Sequence, residues 1–308
     1  MKTYDRVLLL VSGLLLSGFA IASDQLELQK VTSNVYAIVG SMDNRSPGNL
    51  GDNATFGFVV TPAGVVLIDS GGSYKGAQQL AALIKRVTNK PVVKVINSGG
   101  QDHRWLGNGY FKKTGADIIA SAAAVKDQKA RTQDQFFILD NLVGVEGMKG
   151  TNAVYANQTF DKELQFEVGG TSFEIYHAGP AHTPGDSFIW LPKQQVMFTG
   201  DIVFTERMLG ILDYSSSKGW VKVFQAMAKY HPKYIVPGHG HVTTLEKAKA
   251  DTYDYLVFLR QAVTKFMKTG GDISEVGKID QSKFKYLLNF ETLAGRNAQR
   301  VYSELEFE

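Results

Sequence analysis

The 308-residue chain carries six histidines and no cysteine, so any metal in it must be held by imidazole or carboxylate. Four loops gather the candidates. Asp102 and His103 follow the apolar run "VVKVIN" in the loop "SGGQDHRWLGN". His182 lies in "GPAHTPGD", Asp201 closes "VMFTGD", and His239 lies in "YIVPGHGH". Each loop is punctuated by Gly or Pro and trails a strand-like run. A rigid sheet holds such loops at fixed separations, which is why chemistry concentrates there. Imidazole with carboxylate suits zinc and its first-row neighbours. No serine stands in a nucleophile-elbow pattern, and no glycine-rich loop has phosphate-binding spacing. The other histidines read differently. His177 alternates with core residues along a strand, His231 precedes Pro232 at a helix end, and His241 reads as a surface or supporting residue.

The elements that must position these loops come in a definite order. Residues 30–70 read as adjacent strands: "NVYAIVG", "ATFGFVVT" and "VVLIDSGG" are short, rich in Val and Ile, and bounded by Gly, Pro and Asn. In "SYKGAQQLAALIKRVTN", Leu80, Leu83, Ile84 and Val87 share one face of a helix. The strand "PVVKVIN" and the helix "AAAVKDQKARTQDQFFIL" follow. Residues 151–200 return to strands, after which come the helix "WVKVFQAMAKYH" and the strand "KYIVPGHG". From Thr243 onward the pattern is mostly helical, most clearly in "LEKAKADTYDYLVFLRQAVTKFM". This order suits two sheets faced by helices better than one doubly wound sheet.

Taken in order, "VVLIDSG", "DHRWLGN", "GPAHTPGDS", "FTGDIVF" and "VPGHGH" resemble the five successive motifs of the metallo-β-lactamase superfamily. The resemblance implies an α+β fold. It would be a four-layer αββα sandwich over residues 30–245, with the metal site at one edge between the sheets. Residues 246–308 would form a C-terminal helical extension packed on it. The resemblance also implies a ligand set. With the family's second motif aligned on Asp102-His103, its first two His positions fall on Ser98 and Gly100, so the first metal site is degenerate. His182 matches the third-motif His and Asp201 the carboxylate that bridges two metals. His239 matches the fifth-motif His, and Asp69 an Asp that orders the metal loop. One zinc is therefore expected, held by Asp102, His103 and His239. Asp201 would be its fourth ligand or the partner of a bound water, and His182 would be free for water or substrate. Zinc can lower the pKa of bound water to about 7 and polarise a carbonyl. Either Asp102 or His182 could act as the base. The implied activity is zinc-dependent hydrolysis of an ester, thioester, lactone or amide/lactam bond in a small molecule. The alternatives are a metal- or ligand-binding protein with little turnover and an active β-lactamase, between which a fold alone does not decide. Gly99 and Gly100 either make a tight turn or open space beside the metal. Residues 41–53 and 204–218 are candidates for setting specificity.

Composition narrows the partners. The chain is 44% hydrophobic and 20% charged with net charge +3, and its charges are mixed along its length, so no nucleic-acid footprint is present. "MKTYDR" and the apolar "VLLLVSGLLLSGFAIA" read as a signal peptide cut after Ala22, which implies a periplasmic or secreted protein without a stable membrane anchor. The lack of cysteine means that an exported chain needs no disulfide.

Overall fold

A computed structural model describes residues 26–308. The leader expected over residues 1–22 lies outside them. Among the described residues no helix is long and apolar enough to cross a membrane.

Seven strands form the first sheet in chain order: β1 (Glu27–Lys30), β2 (Val35–Val39), β3 (Thr55–Thr61), β4 (Gly64–Ile68), β5 (Val92–Asn97), β6 (Asp117–Ser121) and β7 (Gln158–Phe160). The first four run antiparallel and the last four are parallel to one another. The second sheet has the order β12-β11-β10-β9-β8, built from β8 (Glu163–Val168), β9 (Thr171–Tyr176), β10 (Phe188–Leu191), β11 (Val196–Phe198) and β12 (Tyr234–Val236). Around them lie α1 (Tyr74–Val87), α2 (Asp102–Trp105), α3 (Asn108–Lys113), α4 (Ala122–Leu142), α5 (Val145–Met148), α6 (Ser217–Ala228), α7 (Leu245–Ala248), α8 (Asp254–Lys268) and α9 (Phe290–Glu306).

Three apolar cores separate four layers. Val59, Val66, Ile68 and Ile96 of the first sheet meet Phe173, Ile175, Ile189 and Phe198 of the second. On the far side of the first sheet, Phe56, Phe58, Leu67 and Val95 pack against Leu80 and Ile84 of α1. On the far side of the second, Phe188, Trp190 and Met197 meet Trp220 and Phe224 of α6, Leu256 and Leu259 of α8, and Val301 of α9. Strands β4 and β10 are buried along their whole length, as continuous apolar runs require when both faces are covered. The C-terminal helices thus share one core with the second sheet.

The long helical run near the C-terminus differs from its periodic reading in one respect. It is interrupted by a π-helical turn over Lys249–Tyr253, and such turns cluster at functional sites. Thr252 Oγ1 donates to the Phe204 carbonyl at 2.6 Å and accepts the Phe204 amide at 3.0 Å. Asp251 accepts the Glu206 amide at 2.9 Å. The turn therefore clamps the loop over 204–207.

Candidate metal centre

The candidate loops meet at one edge of the sandwich. His103 lies on α2 just after β5, His182 follows β9, Asp201 lies in a 3-10 turn after β11, and His239 follows β12. Close backbone contact between these loops depends on glycine. A Cβ at Gly200 (φ +47°) would stand 2.1 Å from Ser98 Oγ, and one at Gly238 would stand 2.3 Å from the Gly200 carbonyl.

Arg104, fully buried, ties the loops together. Its guanidinium donates to Asp201 at 2.6 and 3.2 Å, to Asp69 at 2.9 Å, and to the carbonyls of Thr55 and Gly238 at 3.0 and 2.9 Å. Asp69 adopts φ +65°, a left-handed conformation that Asp tolerates better than most residues. From there it accepts Ser98 N at 2.7 Å and Ser98 Oγ at 2.8 Å. Asp69 thus orders the metal loop, and Ser98 is spent on holding Asp69.

Three side chains converge. His103 Nε2 lies 3.3 Å from Asp201 Oδ2, and His239 Nε2 lies 3.2 Å from Asp201 Oδ1. Their ligand atoms all fall within 4.8 Å of one another, and all three residues are buried. Two imidazoles and a carboxylate form a donor set of the kind that catalytic zinc sites use with an open fourth position, so these residues fit the metal. Burial alone would raise the Asp201 carboxyl. The Arg104 charge and the neighbouring imidazoles outweigh it and hold Asp201 ionised, well below the usual carboxylate range. Burial lowers His239 well below its ordinary value and keeps it neutral, as ligation requires.

Asp102, expected among the ligands and as a candidate base, stands outside this group. Its Oδ1 accepts from Arg45 Nη2 at 2.6 Å and from the His103 amide at 2.7 Å. Burial works against its ionised form, but Arg45 and His103 prevail and hold the carboxyl well below its usual range, which makes it a poor proton acceptor. It lies 3.2 Å from His103 Nδ1. Arg45 Nη2, which can only donate, stands 3.1 Å from the same Nδ1, so that nitrogen accepts from Arg45 and the pair Arg45–Asp102 together fixes the His103 ring.

Gly99 and Gly100 face away from the cavity. The count from Asp102-His103 places a lost ligand at Gly100. A Cβ on Gly100 would point at Asp127, 1.9 Å from its Oδ2, and one on Gly99 would point at Asp186 Oδ1 at 2.4 Å. Both glycines make room for neighbouring carboxylates and not for substrate. Gln101 is the position that faces the cavity, where its Oε1 accepts from Tyr214 at 3.0 Å.

His182 lines the same cavity as His103 and His239 but is not one of the converging three. Its Nδ1 is 3.1 Å from the Gly210 carbonyl, which can only accept, so Nδ1 carries the proton and Nε2 is the acceptor. Burial lowers His182 to about 4, leaving it neutral near pH 7.

The cavity has a volume of about 250 Å³. Asn44, Arg45 and Asn53 from the first loop, Phe204, Arg207 and Leu212 from the second, and Leu293 and Arg296 from α9 line it. Both loops singled out in the sequence reach the site. Its arginines carried no comparable signal. Arg104 adjoins His103, but nothing in the chain ties Arg45, Arg207 and Arg296 together before folding.

A family model described as "Metallo-beta-lactamase superfamily" matches residues 50–239. A metallo-beta-lactamase type 2 from Elizabethkingia meningoseptica is 27% identical over 248 residues, covering 78% of this chain and 89% of that protein. Among solved structures, a metallo-beta-lactamase from Pontibacter korlensis superposes with a TM-score of 0.59 at 24% identity, covering 76% of this chain and 99% of that one. A stereoselective inverting sec-alkylsulfatase from Pseudomonas sp. superposes with a TM-score of 0.69 at 18% identity, covering 90% of this chain and 50% of that one. At these identities the superpositions speak for the fold.

Proposed function

The chain belongs to the metallo-beta-lactamase superfamily, and from that premise we propose that it is an exported, metal-dependent hydrolase of small molecules with one zinc held by His103, Asp201 and His239. The observation that carries the reading is the convergence of these three buried side chains at the wall of a cavity. Zinc in such a site supplies a water of lowered pKa and polarises the bond to be cleaved. Arg104 fixes the Asp201 carboxylate, Asp102 accepts the His103 amide, and Arg45 meets the His103 ring at Nδ1. His182 offers a neutral Nε2 as acceptor for a water or for a substrate hydroxyl or amide. Phe204 stacks on His239 with ring centroids 4.4 Å apart, excluding water from one side. Ester, thioester, lactone and amide bonds all suit this chemistry. The leader-like residues 1–22 support export.

A second reading has one observation in its favour. Arg104 already donates to both oxygens of Asp201, so the site can stand as a closed hydrogen-bonded network in a binding protein with little turnover.

Elemental analysis of the purified protein tests the metal. About one zinc per chain is expected, lost in His103→Ala and His239→Ala and retained in Asp102→Asn. Two tightly held metals would refute the single-metal reading, and none would refute the metalloenzyme. A panel of ester, thioester, lactone and lactam substrates then separates the two readings, since no turnover of any class by zinc-loaded protein favours the binding protein.

A further inference from the structure

Arg207 is a half-buried cation that makes no ion pair among the described residues. Its Nε is enclosed and unbonded, and its Nη1 reaches only His239 Nδ1, at 3.4 Å. Charged groups that leave water are normally paired, because an unpaired one is costly. The clamp from the π turn leaves the loop little freedom to carry Arg207 out to solvent. Arg45 repeats the pattern in part, since its Nη2 serves Asp102 and His103 but its Nε is also enclosed without a partner. Arg296 stands exposed on the same cavity, on α9. Of the nearby carboxylates, Asp102 is taken by Arg45, Asp69 and Asp201 by Arg104, and Asp43, which also acts on Arg207, stands exposed to solvent and forms no ion pair with it. A surplus of positive charge therefore faces a space of about 250 Å³ whose other wall is apolar.

We propose that this cavity seats the oxyanion group of a small, otherwise apolar substrate on Arg207 and Arg45, with its apolar part against Phe204, Leu212 and Leu293. The guanidinium fork matches carboxylate, sulfate and phosphate oxygens. The cavity is smaller than the ~300–1,000 Å³ of pockets for drug-sized ligands, which favours a compact molecule. Only the word "substrate" rests on the hydrolase reading; the anion seat does not.

The test uses the full chain, zinc-loaded and zinc-free, titrated with sodium acetate, sulfate or phosphate at constant ionic strength. Calorimetry and the thermal midpoint are the readouts, and the three anions separate the chemical sources of the oxyanion. At least one anion should bind with a Kd in the millimolar range or tighter and raise the midpoint. Arg207→Met should weaken that binding tenfold or more, and in anion-free buffer it should melt at or above the wild-type temperature, because a half-buried charge without an ion pair is gone. A merely structural arginine would instead lower the midpoint. Arg296→Gln, exposed and free of ion pairs among the described residues, should fold normally and bind several-fold more weakly. Arg300→Gln, whose side chain pairs with Asp213 away from the cavity lining, should bind as wild type. The proposal is overturned if no anion binds, or if Arg207→Met and Arg296→Gln both bind as wild type does. Turnover of neutral esters without anion binding would overturn it and leave the hydrolase standing. Anion binding without turnover would do the reverse.

Discussion

Replacing Arg104 with methionine is the sharpest test of how the centre is held. The side chain is 0% exposed and makes five hydrogen bonds, three of them to two buried carboxylates. Methionine fills much of the volume but leaves Asp69 and Asp201 side by side without their cation. Removing one partner of a buried ion pair typically costs about 3–5 kcal/mol, because the other charge stays buried and unmatched. That is a large part of the roughly 5–15 kcal/mol by which domains are stable. Zinc, however, brings positive charge to Asp201 itself. If His103, Asp201 and His239 hold it, metal should offset part of the loss. Urea unfolding of wild type and Arg104→Met, each with a chelator and with excess zinc, measures both effects. The gap between the two proteins should be several kcal/mol in chelator and clearly smaller in zinc. A gap under about 1 kcal/mol in chelator would refute the ion-pair argument. A gap that zinc leaves unchanged would refute Asp201 as a ligand.

Two further predictions concern the scaffold. Asp52 is buried, its Oδ1 accepts the Gly72 amide at 2.7 Å, and its Oδ2 is unbonded; burial pushes its carboxyl up to about 8. The folded state then keeps a proton that the unfolded chain releases, so stability falls as pH rises from about 4 to about 8, at up to about 1.4 kcal/mol per unit. Asp52→Asn should match wild type near pH 4 and exceed it by a few kcal/mol at pH 8; parallel profiles from chemical denaturation across that range would contradict this. Gly100→Ala should lower stability by roughly 1–3 kcal/mol, because the new methyl meets an Asp127 carboxylate that Arg131 holds in place, and an unchanged melting temperature would show that the loop yields.

The layers were legible because burial writes itself into local pattern. The fully buried β4 appears as "GVVLI", and the α1 face appears as Leu80 and Ile84 one turn apart. The loops of the site were legible for a related reason, since a strand ending in a Gly- or Pro-bounded His or Asp is a local signal. What the spacing did not carry is how the side chains of the loop after β5 divide. Asp102 and His103 are adjacent, and α2 turns their side chains in different directions, one toward Arg45 and the other toward Asp201. Spacing alone does not say which of two neighbours looks inward. The two readings of Gly99 and Gly100 stayed open for a similar reason, because what fills their space is Asp127 and Asp186, which are distant in sequence.

The cationic side of the cavity lay beyond any local pattern. Arg45, Arg207 and Arg296 come from two loops and a C-terminal helix, and each alone reads as an ordinary surface charge. Only folding shows that two of them have a buried Nε without a partner. The charges of the centre then divide into two sets with different duties. Arg104 is matched by Asp69 and Asp201 and holds the backbone of the site in place. Arg207 forms no ion pair among the described residues, and the cost of leaving a cation so placed is what an incoming anion can relieve. A residue of the first kind should betray itself by loss of stability when replaced, and one of the second kind by loss of binding at undiminished stability. Arg104→Met and Arg207→Met, measured side by side, should therefore fall on opposite sides of the wild-type melting temperature, or close to it in the second case. If both fall well below it, the division is wrong and Arg207 is part of the scaffold.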